Sequence, residues 1–332
     1  MPRELAGATD RRIDALLALL AENPMIVISG ARIAREIGVT RSTVWRWVEA
    51  LRGLGVKVRA HKGAGYRIER VPDVLVPKLL RRRLRGTPFA RRILHYFCVG
   101  STNDVAMQLG HAGEPHGTLV VAEEQTAGRG RVGRKWHSEK TSGIYMTVLL
   151  RPAIPPAQAP LLTLLAGLAV REAVAEQTGL APDLRWPNDV LLDGKKLGGI
   201  LTEMNAEPDR THFVAVGIGI NVNQAKFPED LAATATSLRI ATNQQHSRLE
   251  LLVRLLGWLD RYYNQCMAGG SAPILERFAA VSSYAHGKRV RIATAAESFT
   301  GTTAGLEPTG VLRVKRDDGR VELLLAGDVR EA

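Results

Sequence analysis

The hydrophobic positions of residues 11–53 recur at the spacing of amphipathic helices. Gly38 interrupts this pattern, and a glycine there ends a helix because it adopts the left-handed backbone conformation without a steric penalty. The pattern therefore predicts three helices, over residues 11–22, over residues 31–37, and from a cap at Thr40 or Ser42 to about Gly53.

The third predicted helix has a hydrophobic side and a polar side, and the polar side carries Arg41, Ser42, Thr43 and Arg46. Residues 56–59 and 65–68 alternate around a glycine-containing turn and predict a two-stranded wing with Lys62 and Arg67. We interpret residues 1–70 as a winged helix-turn-helix, whose polar side enters the major groove while the wing cations reach phosphates. A helical hairpin that binds a protein partner is the alternative.

Residues 71–92 contain three prolines and a run of arginines between positions 81 and 85. We interpret this region as a linker with one short amphipathic helix over residues 76–84. A second phosphate-contacting patch is the alternative interpretation of the arginines.

Beyond residue 93, strands and helices alternate in mixed order, which predicts an α+β domain with a mixed sheet over residues 93–284. Residues 285–332 form a separate region of short alternating strands around an Asp318-Gly319 turn. In the larger domain, strands are predicted over residues 93–99, 118–123, 144–150 and 213–222, helices after Ser101 and before Gly179, and a hairpin turn at Asp193-Gly194.

The positive charge is concentrated at one end of the chain. Residues 1–92 carry 20 lysines and arginines against 8 aspartates and glutamates, whereas residues 93–332 carry 25 of each. An ordinary solvated basic surface would spread this excess over the whole chain. The concentration predicts a polyanionic partner, nucleic acid or membrane, and strengthens the DNA-binding interpretation.

A chain of 332 residues with 45% hydrophobic residues suggests a globular protein of roughly two or three domains. We expect neither a signal peptide nor a membrane-spanning segment, because polar and charged residues interrupt the longest hydrophobic stretch, residues 161–174. Cys98 and Cys266 are expected to be free thiols in a reducing cytoplasm.

A loop rich in glycine and arginine follows the strand at residues 118–123. Residues 128–133 match G-x-G-x-x-G, but no helix pattern opens there, as a dinucleotide-binding fold requires, and the other protein-kinase motifs are missing. The glycines permit close backbone approach, and Arg129, Arg131 and Arg134 offer planar donors to phosphate or carboxylate oxygens. We predict a loop that folds over a phosphorylated ligand.

The Asp193-Gly194 hairpin would bring Asn188 and Asp189 near Lys196. A carboxylate beside an amide suits Mg²⁺ or a proton-accepting role, and a lysine suits negative charge that develops on phosphate. An exposed salt bridge is the alternative.

Two further segments carry candidate ligand-binding groups. Residues 101–103 present hydroxyl and amide groups at a strand-to-helix junction, where a plain helix cap is the alternative. The strand over residues 213–222 contains Gly217 and Gly219, which let a ligand approach the backbone, and ends near Asn221.

Together these motifs resemble the biotin–protein ligase family, and the N-terminal module resembles that of its bifunctional members, which also repress transcription. The resemblance implies a biotin/lipoate-ligase-like catalytic domain on the mixed sheet and a small SH3-like β-barrel at the C-terminus. The matching segments occur in the family's order: Ser101-Thr102-Asn103, the run from Glu124 to Trp136, Trp186-Pro187-Asn188-Asp189, the run from Lys196 to Leu201, and the run from Gly217 to Asn221.

The resemblance also implies roles for single residues. The biotin-binding residues would be Ser101, Thr102, Asn103, Gln125, Gly128, Arg129, Arg131, Lys196, Gly199 and Gly217. The residues around the nucleotide and its phosphates would be Arg131, Arg134, Trp136, Asn188, Asp189, Lys196 and Asn221, and the stretch 223–237 corresponds to the loop that covers adenine. The expected catalytic residues are Lys196, Arg131 and Asp189, with Asp189 also the expected contact of Mg²⁺.

The resemblance implies that biotin and ATP react to biotinyl-5′-AMP, from which biotin passes to a lysine of a biotin carboxyl carrier protein. It further implies that the adenylate promotes a homodimer that binds operator DNA. A lipoate–protein ligase and a repressor that only senses biotin are the alternatives; the intact Gly-Arg-Gly-Arg loop disfavours the first, and the retained Lys196 and Asp189 disfavour the second.

Overall fold

A computed structural model gives the structure of this protein and describes residues 11–22, 26–53, 56–69, 73–294 and 297–332. Parts of the predicted winged helix and linker, namely residues 1–10, 23–25, 54–55 and 70–72, lie outside the described residues. The described residues form an N-terminal region of helices with a hairpin, a central region built on a seven-stranded sheet and a C-terminal five-stranded sheet.

The N-terminal region contains the predicted helix-turn-helix and wing: α1 (Arg11–Glu22), α2 (Gly30–Ile37), α3 (Arg41–Gly53), β1 (Val58–His61) and β2 (Gly65–Ile68). Gly38 ends α2 with a φ of 74°, as expected for a left-handed cap. The first strand begins at Val58 rather than at the expected Val56, because the Val56 N–H bonds to the Leu51 carbonyl at the end of α3.

Residues 73–92, the connecting segment, pack against both neighbouring regions. Val74 and Val76 are buried in the hydrophobic core of the N-terminal region, whereas Leu75 and Leu80 are buried in the core of the central region. The segment contains α4 (Pro77–Arg83), which begins with a proline at a position where no helical N–H is needed. The predicted short helix is therefore present, and its hydrophobic side joins the two cores.

The central sheet is mixed, as predicted. Its strand order is β3-β4-β5-β9-β8-β7-β6, and only the β3–β4 pair is parallel among its described pairs. The strands are β3 (Ile93–Tyr96), β4 (Thr118–Ala122), β5 (Gly143–Leu150), β6 (Asp183–Arg185), β7 (Asp189–Leu192), β8 (Lys195–Ala206) and β9 (Thr211–Asn221). Strand β3 is shorter than the expected 93–99, because its pairing with β4 ends where Tyr96 meets Ala122.

Helices cover both faces of this sheet. Helix α5 (Thr102–His111) packs Val105 and Leu109 against one face, together with residues of β3 and β4. The opposite face is covered by α6 (Pro160–Thr178), which ends at Gly179 as predicted, α9 (Arg248–Gly269) and α10 (Ala272–Val281). Two short helices, α7 (Glu229–Ala232) and α8 (Leu238–Thr242), lie between β9 and α9.

One helical stretch of the described chain, residues 156–178, is long and hydrophobic enough by length and composition alone to cross a membrane. We expected no stretch of this length and hydrophobicity, so that expectation was wrong for residues 156–178 as far as length and composition go. Within this stretch, 72% of the hydrophobic 18-residue window is buried inside the protein, where its leucines pack against the sheet and α9.

The C-terminal region is a five-stranded antiparallel sheet in the order β13-β12-β11-β10-β14. Gly319 has a φ of 86° in the predicted turn before β13. The strands are β10 (His286–Ala293), β11 (Ser298–Leu306), β12 (Leu312–Arg316), β13 (Val321–Leu324) and β14 (Asp328–Glu331). Together the three regions form the predicted α+β architecture.

Candidate functional site

A cavity of about 860 Å³ opens between the central sheet, the glycine- and arginine-rich loop and the C-terminal sheet. Strands β5, β8 and β9 contribute its floor. All residues that we predicted to bind biotin or nucleotide line this cavity, with the exception of Gly128. The fold thus gathers segments that are distant in the sequence around one space.

At one end of the cavity, polar groups at the start of α5 are held by neighbouring side chains. The Gln125 Oε1 accepts hydrogen bonds from the Thr102 N–H at 2.8 Å and from the Thr102 hydroxyl at 3.0 Å. The Thr147 hydroxyl donates to Asn103 Oδ1 at 2.6 Å. Ser101 is the helix cap, yet its buried hydroxyl does not cap α5. The segment therefore fixes its polar groups at the cavity rather than serving only as a cap.

Glycines in the floor let side chains approach the sheet closely. A Cβ atom at Gly217 would collide with the Asn103 amide, and one at Gly219 would lie 2.6 Å from the Trp136 ring. The Trp136 indole thus lies directly on β9, with the Lys196 ammonium 5.6 Å from its ring centroid.

The glycine- and arginine-rich loop folds into a small hairpin in which Arg129 bridges to Lys135. The Trp136 N–H donates to the Gly128 carbonyl at 2.8 Å at the base of this hairpin. Gly128 does not line the cavity, and a Cβ atom there would lie 2.7 Å from the Trp136 carbonyl oxygen. A glycine is required at position 128 because the two hairpin strands approach each other closely there.

The loop arginines are held by partners that a bound anion could replace. Arg131 donates to Asn188 Oδ1 at 3.3 Å and to the Gly327 carbonyl at 3.4 Å. Arg134 makes a two-pronged contact with the Asp328 carboxylate, at 3.2 and 2.9 Å. The hydrogen bond from Arg134 lowers the pKa of Asp328 below its usual value. Both arginines thus connect the loop to other walls of the cavity.

The hairpin of β7 and β8 brings Asp189 and Lys196 together, as predicted. The Lys196 Nζ lies 2.5 Å from Asp189 Oδ1, and Arg185 donates to Asp189 Oδ2 at 2.6 Å. Burial by itself would raise the pKa of Asp189, but the charges of Lys196 and Arg185 lower it below its usual value. The carboxylate is therefore ionised and clamped between two cations. This pair is not an exposed salt bridge, because only 12% of the Asp189 side chain is accessible.

The segment after β9 is attached to the backbone of the same lysine. The Lys196 N–H donates to the Thr234 carbonyl at 2.8 Å, and the Thr236 N–H donates to the Lys196 carbonyl at 3.0 Å. Phe227 and Leu231 from this segment line the cavity. Stretch 223–237 therefore forms one wall beside Lys196.

The arrangement around Asp189 does not suit a Mg²⁺ site formed by the protein alone. Both carboxylate oxygens face a cation, so a metal ion there would be repelled by Lys196 and Arg185. The described residues contain no cluster of three or more His, Cys, Asp or Glu side chains that could hold a metal. Asp189 is therefore a poor candidate for a metal ligand in this conformation.

Several residues at the site were not predicted from the sequence. Arg185 lines the cavity and holds Asp189, and residues 326–330 close the cavity from the C-terminal sheet. Glu203 on β8 accepts hydrogen bonds from Asn103 and Arg129. The available signal for Arg185 and Glu203 was a charged residue within or beside a matching motif segment, because Arg185 precedes Trp186 and Glu203 follows the run that ends at Leu201. No local sequence signal indicates that residues 326–330 line the cavity.

The candidate DNA-binding residues lie on the N-terminal region, with Arg41, Ser42 and Arg46 exposed along α3 and Lys62 exposed at the wing tip. Thr43 and Arg67 are half-buried. The hydroxyl of Thr40 accepts a hydrogen bond from the Thr43 N–H at 3.2 Å and caps the helix.

Comparisons with known families cover each region of the chain. The Biotin/lipoate A/B protein ligase family matches residues 96–221, an HTH domain family matches residues 11–67, and the biotin protein ligase C-terminal domain family matches residues 285–329.

Individual relatives extend these matches. The chain is similar to the bifunctional ligase/repressor BirA of Bacillus subtilis (strain 168), with 37% identity over 95% of this chain and 97% of the relative. The biotin–[acetyl-CoA-carboxylase] ligase of Mycobacterium tuberculosis is 35% identical over 78% of this chain and 93% of the relative. The structure of the Aquifex aeolicus biotin protein ligase in complex with biotin and ATP has a TM-score of 0.63 and 30% identity, and covers 73% of this chain and 100% of its own.

Proposed function

The chain belongs to the biotin–protein ligase family, and from this premise we propose which residues carry each step of the reaction and how the N-terminal region uses the product. The activity is ATP-dependent biotinylation, combined with DNA binding by a helix-turn-helix domain as in the bifunctional relatives. The observation that carries the assignment of roles is the convergence of the loop arginines, Asp189 and Lys196 on one cavity.

The chemistry proceeds in two steps. A carboxylate oxygen of biotin attacks the α-phosphorus of ATP, the bond to the bridging oxygen breaks, and pyrophosphate leaves, which gives biotinyl-5′-AMP. The amine of an acceptor lysine then attacks the acyl carbon, loses a proton and displaces AMP. Both steps depend on positioning and on neutralising negative charge at phosphate.

The ureido ring of biotin is assigned to the end of the cavity that is formed by Ser101, Thr102, Asn103 and Gln125. The hydroxyl and amide groups there are oriented by hydrogen bonds to neighbouring side chains, so little ordering is needed when biotin binds. Gly217 lets the Asn103 amide lie against the sheet at this end, and Gly199 leaves room beside Lys196 and Trp136. Arg129 lies in the neighbouring loop.

The phosphates of ATP are assigned to Arg131, Arg134 and Lys196. These cations come from the loop and from β8, and phosphate oxygens would replace the present partners of the two arginines. Mg²⁺ would enter with ATP and would neutralise phosphate charge; Asp189 is not assigned to hold it, because both of its oxygens are paired with cations. Trp136, Asn188 and Asn221 complete the nucleotide end, where Trp136 shields the adenylate from water.

Asp189 positions Lys196 in the first step. Its lowered pKa makes it a weak base, so it acts mainly as the counter-charge that holds the ammonium group towards the biotin carboxylate. In the second step Asp189 is the proposed first acceptor of the proton from the acceptor amine, because its carboxylate lines the cavity beside Lys196. Its low pKa means that it passes this proton on rather than keeping it.

The macromolecular partners follow from the same premise. The acceptor is a biotin carboxyl carrier protein of a biotin-dependent carboxylase, and the basic N-terminal region binds operator DNA through α3 and the wing. The adenylate-bound chain forms the homodimer that binds DNA.

The protein acts in the cytoplasm, in agreement with the free thiols of Cys98 and Cys266.

The decisive experiment for the ligase assignment is biotin-dependent ATP–pyrophosphate exchange by Lys196→Ala. We expect a loss of at least about a hundredfold, because a cation at the developing phosphate charge is removed. Lys195→Ala is the matched control: Lys195 is the exposed neighbour in the same hairpin, and this variant retains the wild-type rate. Near-normal exchange by Lys196→Ala would contradict the proposed role.

The DNA-binding role is tested by gel shift with the DNA upstream of the protein's own gene. Biotin plus ATP increases binding by the wild-type chain, whereas Lys196→Ala, which cannot form the adenylate, does not respond. Unchanged binding of the wild-type chain after addition of both substrates would show that ligase and DNA binding are not coupled.

A further inference from the structure

One carboxylate beside the cavity, that of Glu203 on β8, holds two of the predicted biotin-binding residues at once. Its Oε2 accepts a hydrogen bond from Asn103 Nδ2 at 2.8 Å. Both of its oxygens accept from Arg129 Nη2, at 3.2 and 3.1 Å. Glu203 does not itself line the cavity, so it acts on a ligand through these two residues.

The first consequence is a fixed orientation of the Asn103 amide. Its NH₂ group donates to Glu203 and, at 3.1 Å, to the Leu201 carbonyl, while its Oδ1 accepts from Thr147 at 2.6 Å. A rotated amide would place its oxygen against a carboxylate and a carbonyl, which is repulsive. Since an amide oxygen has two lone pairs, Asn103 presents one remaining acceptor site and no donor.

The second consequence concerns the loop. Arg129 is bound both by Asp104 on α5 and by Glu203 on β8. These contacts fasten the start of the loop hairpin to the same end of the cavity. A single side chain therefore links the orientation of Asn103 to the position of the loop.

We propose that Glu203 is a positioning residue that makes this end of the cavity select a ligand with a ring N–H donor. The inference rests on the proposed function, in which the ureido ring of biotin occupies this end. A ureido ring supplies N–H groups, whereas the dithiolane ring of lipoate has none. The remaining acceptor site of the Asn103 oxygen gains a hydrogen bond from a ring N–H but none from a dithiolane ring, so an Asn103 amide held by Glu203 favours biotin over lipoate.

The test compares wild type with Glu203→Leu in biotin-dependent ATP–pyrophosphate exchange. The KM for biotin rises about tenfold, which corresponds to one well-placed hydrogen bond. The kcat and the KM for ATP stay within about twofold, because the phosphate end of the cavity is unaffected. The ratio of kcat/KM for biotin to that for lipoate falls in the variant, since the freed amide can turn its NH₂ group towards either ring.

Glu203→Gln is the second variant and keeps an acceptor for Asn103 while it removes the charge that holds Arg129. Its KM for biotin rises less than that of Glu203→Leu, and it remains informative if the leucine variant does not fold. In an Asn103→Ala background, Glu203→Leu has a smaller effect on the KM for biotin than in wild type. Glu207→Gln, which changes a largely exposed glutamate just beyond β8, is the matched control and behaves as wild type.

An unchanged KM for biotin in folded Glu203→Leu overturns the proposal, as does an equal change in the KM for ATP or an unchanged biotin-to-lipoate ratio. Failure of the proposed function itself has a different signature, because then the wild-type chain shows no biotin-dependent exchange at all.

Discussion

Two arginines of this protein, Arg248 and Arg134, pair with carboxylates in different surroundings. We call the pairs of Arg248 the buried group and the pair of Arg134 the exchangeable group. Arg248, at the start of α9, has a completely buried side chain that bonds to Glu123 at 2.8 Å, to the Gly143 carbonyl at 3.0 Å and to Asp73. Arg134 in the loop, by contrast, is 60% exposed and pairs with Asp328 across the mouth of the cavity. Burial decides which pairing stabilises the fold and in which pairing a ligand can replace the carboxylate.

The buried group connects regions that the sequence separates widely. Glu123 directly follows β4, before the glycine- and arginine-rich loop. It also accepts hydrogen bonds from the Leu75 N–H at 2.8 Å and from His95 at 3.0 Å if that ring nitrogen is protonated. Asp73 accepts from the backbone N–H groups of Arg248 and Leu249, both at 3.1 Å, and so caps α9. The connecting segment is therefore held on the central region by the fully buried charges of Arg248 and Glu123 and by the partly exposed carboxylate of Asp73.

Arg248→Met is expected to give the largest effect on stability. It leaves Glu123 buried without its cation, and such a loss lowers the free energy of unfolding by about 3–5 kcal/mol. Urea denaturation measures this change. The matched control is Arg254→Met on the same helix, whose pair with Glu176 is 41% and 43% exposed and contributes at most about 1 kcal/mol. Equal losses in the two variants would contradict the distinction between the groups.

The pH dependence of stability sharpens the comparison. Burial would raise the pKa of Glu123, but Arg248 and His95, together with the Leu75 N–H, lower it from 4.5 to about 2. Since the folded state has the lower pKa, this stabilisation is present above pH 4.5 and is lost as the pH falls towards 2.

Glu123→Gln has no such ionisation, so its unfolding free energy changes less over this acid range than that of wild type. The difference between the two proteins is largest near neutral pH and shrinks on acidification. Urea titrations at several pH values measure it, and parallel curves for the two proteins would be inconsistent with an ionised Glu123 in the fold.

Arg134→Ala tests the exchangeable group and has a smaller effect on stability. The free energy of unfolding changes by at most about 1 kcal/mol, because the pair with Asp328 is largely exposed. The KM for ATP rises about tenfold as a charge-assisted hydrogen bond to phosphate is lost. Arg320→Ala, in the exposed turn of the C-terminal sheet, leaves the KM for ATP unchanged. A large loss of stability with an unaltered KM would reverse the assignment.

Arg46→Ala has the smallest expected effect on folding, since this side chain is exposed and its hydrogen bond to Thr43 is long, at 3.4 Å. We expect weaker binding to all DNA sequences. The slope of the logarithm of the DNA affinity against the logarithm of the salt concentration should fall by about one, since one phosphate contact is lost. Arg210→Ala, which removes the same charge from the turn between β8 and β9, is the control. If both variants lower DNA affinity equally, net charge rather than α3 explains the binding.

Much of the fold and of the site could be predicted from local patterns. The helix-turn-helix, the Asp193-Gly194 hairpin and the end of α6 at Gly179 are encoded by spacing and by glycines at left-handed positions. The motif segments also identified most of the cavity lining. The biotin contact of Gly128 stays a prediction, while the structure gives its carbonyl and missing Cβ a further role at the base of the loop hairpin.

The sequence by itself determined the order of the three regions, the type of each element and the location of the basic charge, because spacing, glycine and charge act over a few residues. Only the tertiary structure decided that Arg248 is a buried structural cation while Arg134 faces a ligand cavity. The same holds for Glu203, which reaches Asn103 and Arg129 across a distance of up to 100 positions in the chain. Burial and long-range partners depend on how strands and helices pack, and no local pattern of residues encodes them.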